Sequence, residues 1–242
     1  IRWVWRASIQ ERWVKRGTAR LRSACMKCAQ KGTAVLNWRL YLPENWANDP
    51  QRRAEAGIPE EVKFRKKWEL ALEMIDQARS NWELPVRIVV ADAGYGEVTA
   101  FRQELENRKL PYVVGVQSTM GVWIQPPLPR KLKPKQAGRP PSALHYGKQR
   151  PLPTKEAAQL ARGWKKIRWR EGSKGWLSSR FWAGRVQASH GFHEGREPGK
   201  EIWLLVEWPE IASEPARYFL CDLPANYRLR RLVQVAKARW KI

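Results

Sequence analysis

Asp92 is the residue that stands best placed for catalysis. It directly follows Val86-Arg87-Ile88-Val89-Val90-Ala91, a short, nearly continuous β-branched run that reads as a strand covered on both faces. A carboxylate just past the carboxyl end of a buried parallel strand sits where open α/β sheets place their ligands. The other reading is a helix cap or turn residue, because Asp before Ala93-Gly94 favours turns, and spacing alone leaves that reading ahead. A second chemistry lies in Trp164-Lys165-Lys166-Ile167-Arg168-Trp169-Arg170, where Trp or Ile alternates with Lys and Arg. Interleaved cations and aromatic rings grip phosphates and stack on bases, although an edge strand with a buried Trp face has the same pattern. A third pattern, Cys25-Met26-Lys27-Cys28, has the spacing of half a zinc site, and His190 with His193 is the other half it would need. A lone pair without a properly spaced partner is a weak signal, and three cysteines, with Cys221, fit reduced thiols better than disulfides.

The elements that must position these groups follow from periodicity. Ala34 to Pro43 alternates as a strand, ended by Pro43 and the acidic, Asn-rich stretch from Glu44 to Asp49. A helix is expected from Pro59, with Glu60 and Glu61 at its positive end and Trp68, Ala71, Leu72, Ile75 and Ala78 on one face. After Asp92, Gly94-Tyr95-Gly96 makes a turn. Glu97 to Lys109 reads as a helix with Val98, Phe101 and Leu105 inward, and Tyr112 to Val116 as a strand. Strand, helix and strand at this spacing imply a right-handed parallel crossover. Pro126 to Pro153 then brings eight prolines, seven Lys or Arg and no acid, so it cannot form a core and is either a floppy loop or a DNA-tracking one. A short helix from Thr154 to Arg162, stopped by Gly163, leads into the Trp/Lys/Arg run. Strands follow at Phe181 to Ala188, Ile202 to Trp208 and Ala216 to Leu220, and a helix from Asn226 to Ile242. In that last helix Leu229, Leu232, Val233, Ala236 and Trp240 share a face ringed by Arg228, Arg230, Arg231, Lys237, Arg239 and Lys241.

Charge narrows the partners. The 242 residues carry 46 Lys and Arg against 23 Asp and Glu, a formal charge of +23 that would repel itself unless a polyanion screened it. DNA or another nucleic acid is the expected partner rather than a membrane, since no apolar run approaches the ~20 residues that span a bilayer. Ile1-Arg2-Trp3-Val4-Trp5-Arg6 lacks the apolar core of a secretory signal, so the product is expected in the cytoplasm, associated with the nucleoid. The basic residues offered for phosphate contacts are Lys131, Lys133, Lys135, Arg139, Lys165, Lys166, Arg168 and Arg170. Whether the chain acts as a homodimer stays open.

Five runs, in order, resemble insertion-sequence transposases of the DDE type, bacterial enzymes with a ribonuclease-H-like domain. They are Leu36-Asn37-Trp38-Arg39-Leu40-Tyr41-Leu42-Pro43, Val90-Ala91-Asp92-Ala93-Gly94-Tyr95-Gly96, Leu110-Pro111-Tyr112-Val113-Val114-Gly115-Val116, Trp203-Leu204-Leu205-Val206-Glu207-Trp208-Pro209 and Ala238-Arg239-Trp240-Lys241-Ile242. The resemblance implies an α/β fold, a ribonuclease-H-like mixed sheet with flanking helices and an inserted β-rich subdomain. It also implies that Asp92 is the second metal-binding carboxylate. In such enzymes Mg²⁺ ions held by two Asp and one Glu activate water, and later a DNA 3′-hydroxyl, for in-line attack on phosphodiesters. The first Asp would precede the strand at Ala34, where residues 1 to 33 offer no Asp, and the Glu would directly follow Ile242. The chain is therefore expected to be a transposase fragment that descends from a DNA-cutting and DNA-joining enzyme and is itself inactive. A non-catalytic DNA-binding protein and a pseudogene product are the alternatives.

Residues 1 to 30 depart from the resemblance: Trp3, Trp5 and Trp13 mix with nine basic residues up to Lys31, against Glu11 alone. A shifted reading frame explains them. Because Trp and Met have single codons, the frame two nucleotides on must read Gly at Trp3-Val4 and at Trp13-Val14, and Glu at Met26-Lys27. Permissible codons elsewhere can yield a family-like segment that is back in frame near Met26 to Lys31. The expected domains are then an out-of-frame or non-native 1–33 and a core at 34–118. A basic linker with the inserted β-rich subdomain would follow at 119–222, and a truncated C-terminal catalytic helix at 223–242.

Overall fold

The structure, a computed structural model, describes residues 4–9, 23–29, 32–39, 41–125, 149–172, 175–189 and 197–238. It forms two compact units, residues 1–114 with 235–242, and residues 115–234.

In the first unit β1 (Val4–Ile9), β2 (Ser23–Ala29) and β3 (Gly32–Arg39) make an antiparallel ribbon with β2 in the middle. β4 (Val89–Ala91) runs parallel to β1 on one side and to β5 (Tyr112–Val116) on the other, so the order is β3-β2-β1-β4-β5. The expected parallel pairing is present. β4 is shorter than the β-branched run because the Val86 N–H donates back to Leu84 O at 2.8 Å, a tight turn after which only the last three residues of the run join the ladder. Its three residues are buried, as are Tyr112, Val113 and Val114 beside them, which is why both strands read as continuous apolar runs rather than alternating ones.

The helices of this unit depart from expectation at their starts. Val62 N–H closes a single turn on Pro59 O, and α3 (Lys67–Ser80) begins only after it. Its N-terminus is set by Glu69, whose carboxylate accepts the Lys66 N–H at 3.0 Å, so an acid three residues in, rather than Pro59, marks the true start. α3 buries Leu70, Ala71, Leu72, Met74, Ile75 and Ala78 and packs over β2 and β3, while Trp68 is only half-buried. The acidic, Asn-rich stretch holds two short helices, α1 (Glu44–Ala47) and α2 (Pro50–Glu55). The second is started by Pro50 and by the Asp49 carboxylate, which accepts the Arg52 N–H at 3.0 Å. Between β4 and β5 the crossover consists of α4 (Ala93–Gly96) and α5 (Thr99–Asn107), with Phe101 and Leu105 fully buried.

The second unit is β-rich and antiparallel. It contains β6 (Gly121–Trp123), β7 (Leu152–Pro153), α6 (Thr154–Gln159), β8 (Lys165–Gly172), β9 (Gly175–Ala188), β10 (Glu201–Trp208) and β11 (Arg217–Cys221). The strands run in the order β11-β10-β9-β6-β7, and β8 pairs with the N-terminal half of β9. Gly163, at φ +77°, follows α6 in a left-handed conformation that favours glycine. α7 (Leu229–Lys237) buries Leu232, Val233, Val235 and Ala236. Lys237, expected on its basic rim, is 2% exposed instead. Lys131, Lys133, Lys135, Arg139, His190, His193, Arg239, Trp240 and Lys241 lie outside the described residues. None of the described helices is long and apolar enough to cross a membrane.

Candidate functional site

β4 ends at Ala91, and Asp92 takes the extended residue that precedes α4, at φ −85° and ψ −177°. Its carbonyl accepts the N–H groups of Gly96 at 2.8 Å and Tyr95 at 3.1 Å. Its carboxylate makes no capping bond to the helix, so the cap role that competed with a chemical one is not what this side chain does. The turn is braced from behind by Arg102 on α5, a residue with no exposed surface. The Arg102 guanidinium donates to the Gly96 carbonyl and, at 3.0 Å, to Thr99 Oγ1. Burial pushes the Arg102 pKa down, and Tyr112, Glu97 and Glu106 act in the opposite sense. Tyr95 packs its ring on Phe101 at 5.5 Å between centroids. Sequence reading missed Arg102, although its spacing, four residues after Val98 and three before Leu105, placed it on the inward face of the helix.

A divalent ion needs more than the surroundings of Asp92 supply. The parallel register pairs Arg6 with Val90 and Ala7 with Ala91, the residue before Asp92. β1, Val4 to Ile9, contains no acidic residue. Among the described residues no three of His, Cys, Asp and Glu are grouped so that they could hold a metal ion. Mg²⁺ keeps much of its water and is held by few protein oxygens, but one carboxylate does not make a two-metal centre. Asp92 alone does not make such a centre. A cleft between α3 and α5 gathers more carboxylates, yet these are engaged. Arg108 holds Asp76 at 2.9 Å and pairs with Glu104, and Arg65 holds Glu73 at 2.8 Å.

The basic run becomes β8, and its register sorts the cations in a way that alternation alone does not. Directly opposed residues of an antiparallel pair share a face. Lys166 opposes Arg180 and Arg168 opposes Ser178, whereas Lys165 opposes Phe181 on the other face. Between Arg168 and Arg170 the register shifts by one, a bulge at Trp169, so Arg170 opposes Leu177 and joins the face of Lys165. Of the four predicted residues on this strand, Lys166 and Arg168 therefore share one face, and Lys165 and Arg170 the other. Arg180, which sequence reading passed over, joins Lys166 and Arg168. Its guanidinium lies 4.1 Å from the ring centroid of Trp208, its register partner on β10. Glu210 answers this positive face, 2.7 Å from Lys166 Nζ and 3.1 Å from Ser178 Oγ, and the lysine, then the serine, hold its carboxyl below the usual range.

A search of curated proteins found no match. A family model described as DDE superfamily endonuclease matches residues 23–176, well over half of the chain and a span that includes β2 to β5, Asp92 and all of β8. It begins upstream of Ala34, where the motif resemblance begins. The α/β sheet with flanking helices and a β-rich insertion is consistent with the ribonuclease-H-like fold of these enzymes. Members act on DNA and generally use divalent metal ions. With the strand-end Asp92 inside a match of this extent, the chain belongs to the DDE superfamily endonucleases.

Proposed function

We propose that the chain is part of an insertion-sequence transposase, a bacterial enzyme that cuts and joins DNA in the cytoplasm, and that on its own it binds DNA but does not cleave it. Asp92 is the second metal-binding carboxylate of that enzyme, for Mg²⁺, and Lys166 and Arg168 contact phosphates of the element's ends or its target. One observation carries the reading: a carboxylate at the end of a buried parallel strand, making no helix cap, stands next to a strand that has no acid. The same observation favours a non-catalytic DNA-binding role over residual cutting. The frame-shift reading of residues 1 to about 30 belongs to this proposal, and the family match, which starts at Ser23, takes in the last part of that stretch.

The test combines a salt titration of DNA binding with a plasmid-nicking assay in Mg²⁺ and in Mn²⁺. Binding that weakens steeply with salt, without metal-dependent nicking, is expected. Nicking that disappears in Asp92→Ala would overturn the inactivity, and absence of binding at low salt would overturn the DNA reading. Sequencing the encoding DNA upstream and translating all three frames tests the frame shift: no family-like segment in the shifted frame sinks it.

A further inference from the structure

We infer that the face of the β8–β9 hairpin bearing Lys166, Arg168 and Arg180 is a platform for an unpaired DNA strand, on which Trp176 stacks a base. This rests on the DNA-binding reading above and adds the kind of DNA. Lys166 and Arg180 are directly opposed on one face with Arg168 two residues along β8, and like charges so placed repel unless an anion lies between them. Glu210 supplies one such anion at Lys166, and a phosphate is the corresponding external one. The aromatic rings of this region differ in exposure. Trp164 and Trp208 meet edge to face at 5.4 Å, Arg180 covers the Trp208 ring, and Trp182 lies over Gly184 so closely that an added Cβ there would collide with it. Those rings are occupied. Trp176 is 57% exposed and its neighbour Leu177 42%. Successive strand residues point to opposite faces, so exposure of both means that this end of the hairpin is open to solvent on either side.

The register places Trp176, opposite Glu171, on the same face as Ser178, Lys166 and Arg168, because positions two apart on a strand share a face. A ring free to stack needs a free base face. Within a duplex those faces are covered by neighbouring pairs, whereas an unpaired strand offers one at every nucleotide. Cations that follow a backbone, next to one open aromatic ring, therefore select the unpaired strand.

The experiment measures anisotropy of a fluorescent oligo-dT strand and of a blunt duplex of equal length, with the full chain and with Trp176→Ala and Trp176→Phe. Trp176→Ala is expected to weaken single-strand binding about five- to 100-fold and to lower duplex affinity much less, while Trp176→Phe keeps most of the preference. Equal thermal midpoints for the three proteins establish that the hairpin persists. If Trp176→Ala weakens both probes alike, or neither, the platform is wrong and the DNA-binding reading stands. If the unaltered chain binds neither probe at low salt, both fall together.

Discussion

The corner that carries Asp92 and the hairpin formed by β8 and β9 handle charge in opposite ways. In the corner a guanidinium is fully buried and donates to the Gly96 carbonyl and Thr99 Oγ1, and the rings of Tyr95 and Phe101 pack on each other. A group taken out of water in this way is costly to move, so the backbone on which Asp92 sits has one geometry. On the hairpin Lys166 and Arg168 stay in water, and the Lys166 pair with Glu210 is solvent-exposed on both sides. Such pairs contribute little to stability and exchange readily for another anion. The difference is one of solvation: the turn that carries the Asp92 carboxylate is tied down by a buried guanidinium, whereas the cations of the hairpin are wet and cost little to redirect.

The largest effect should come from breaking the dry side. Arg102→Met keeps the length of the side chain but removes the donors that satisfy the Gly96 carbonyl. Urea unfolding is expected to report a loss of about 2–4 kcal/mol. Arg168→Ala, on the wet side, should stay within about 0.5 kcal/mol of the parent. Similar losses for both would mean that the corner is no more tightly determined than the hairpin.

Next comes the wet side's own function. Arg168→Ala is expected to weaken single-strand binding at all sequences and to flatten the plot of log affinity against log salt by about 0.7, the share of one phosphate contact. Lys165→Ala removes a cation of equal charge from the other face of the same strand and should flatten it less. A reversed ranking would show that the bulge at Trp169 is not where the register puts it.

How much of this was readable beforehand differs between the two regions for a physical reason. The place of Asp92 at a strand end, β5 and the parallel pairing were legible, because buried parallel strands leave unbroken β-branched runs and the chain must turn where they stop. The start of α3 was misread because Pro59 and two acids form a valid start signal that the chain uses for one turn only, and the capping contact of Glu69 wins further on. Arg102 was hidden by its residue type, since arginine on an inward face is unusual and spacing alone had to find it. On the hairpin the composition was legible and the faces were not. Alternation assigns Lys166, Arg168 and Arg170 to one side, and a single bulged residue moves Arg170 to the other. Which cations act together depended on a pairing register that no single strand encodes.

A smaller effect tests whether Glu210 stands in for phosphate. Glu210→Gln keeps the shape and removes the anion that Lys166 and Ser178 engage. Single-strand affinity at low salt is expected to rise about two- to threefold, in line with the small net worth of exposed ion pairs, and the gain should fade as salt screens it. The carboxyl is held below its usual range, so its contribution to stability is complete above the unfolded carboxylate pKa and fades only as pH falls through the lower folded value. Acid titration followed by circular dichroism should therefore show no pH dependence from Glu210 near neutral pH, only at acid pH. An unchanged affinity in Glu210→Gln would mean that the glutamate and the nucleic acid do not compete for Lys166.

The smallest expected change is also the one that decides what Asp92 is for. An Asp that caps a helix through its side chain loses about 1 kcal/mol when cut back to Ala. At this turn the two bonds are made by the Asp92 carbonyl, which Ala retains, and the carboxylate makes no capping bond. Asp92→Ala keeps both of these bonds and is therefore expected to cost less than the loss of such a cap, as read by urea unfolding. A loss of a kilocalorie or more would return Asp92 to a structural role and leave the corner rigid for its own sake. A smaller loss would mean that the carboxylate does not act as a helix cap, which is what the metal-binding role proposed for it requires.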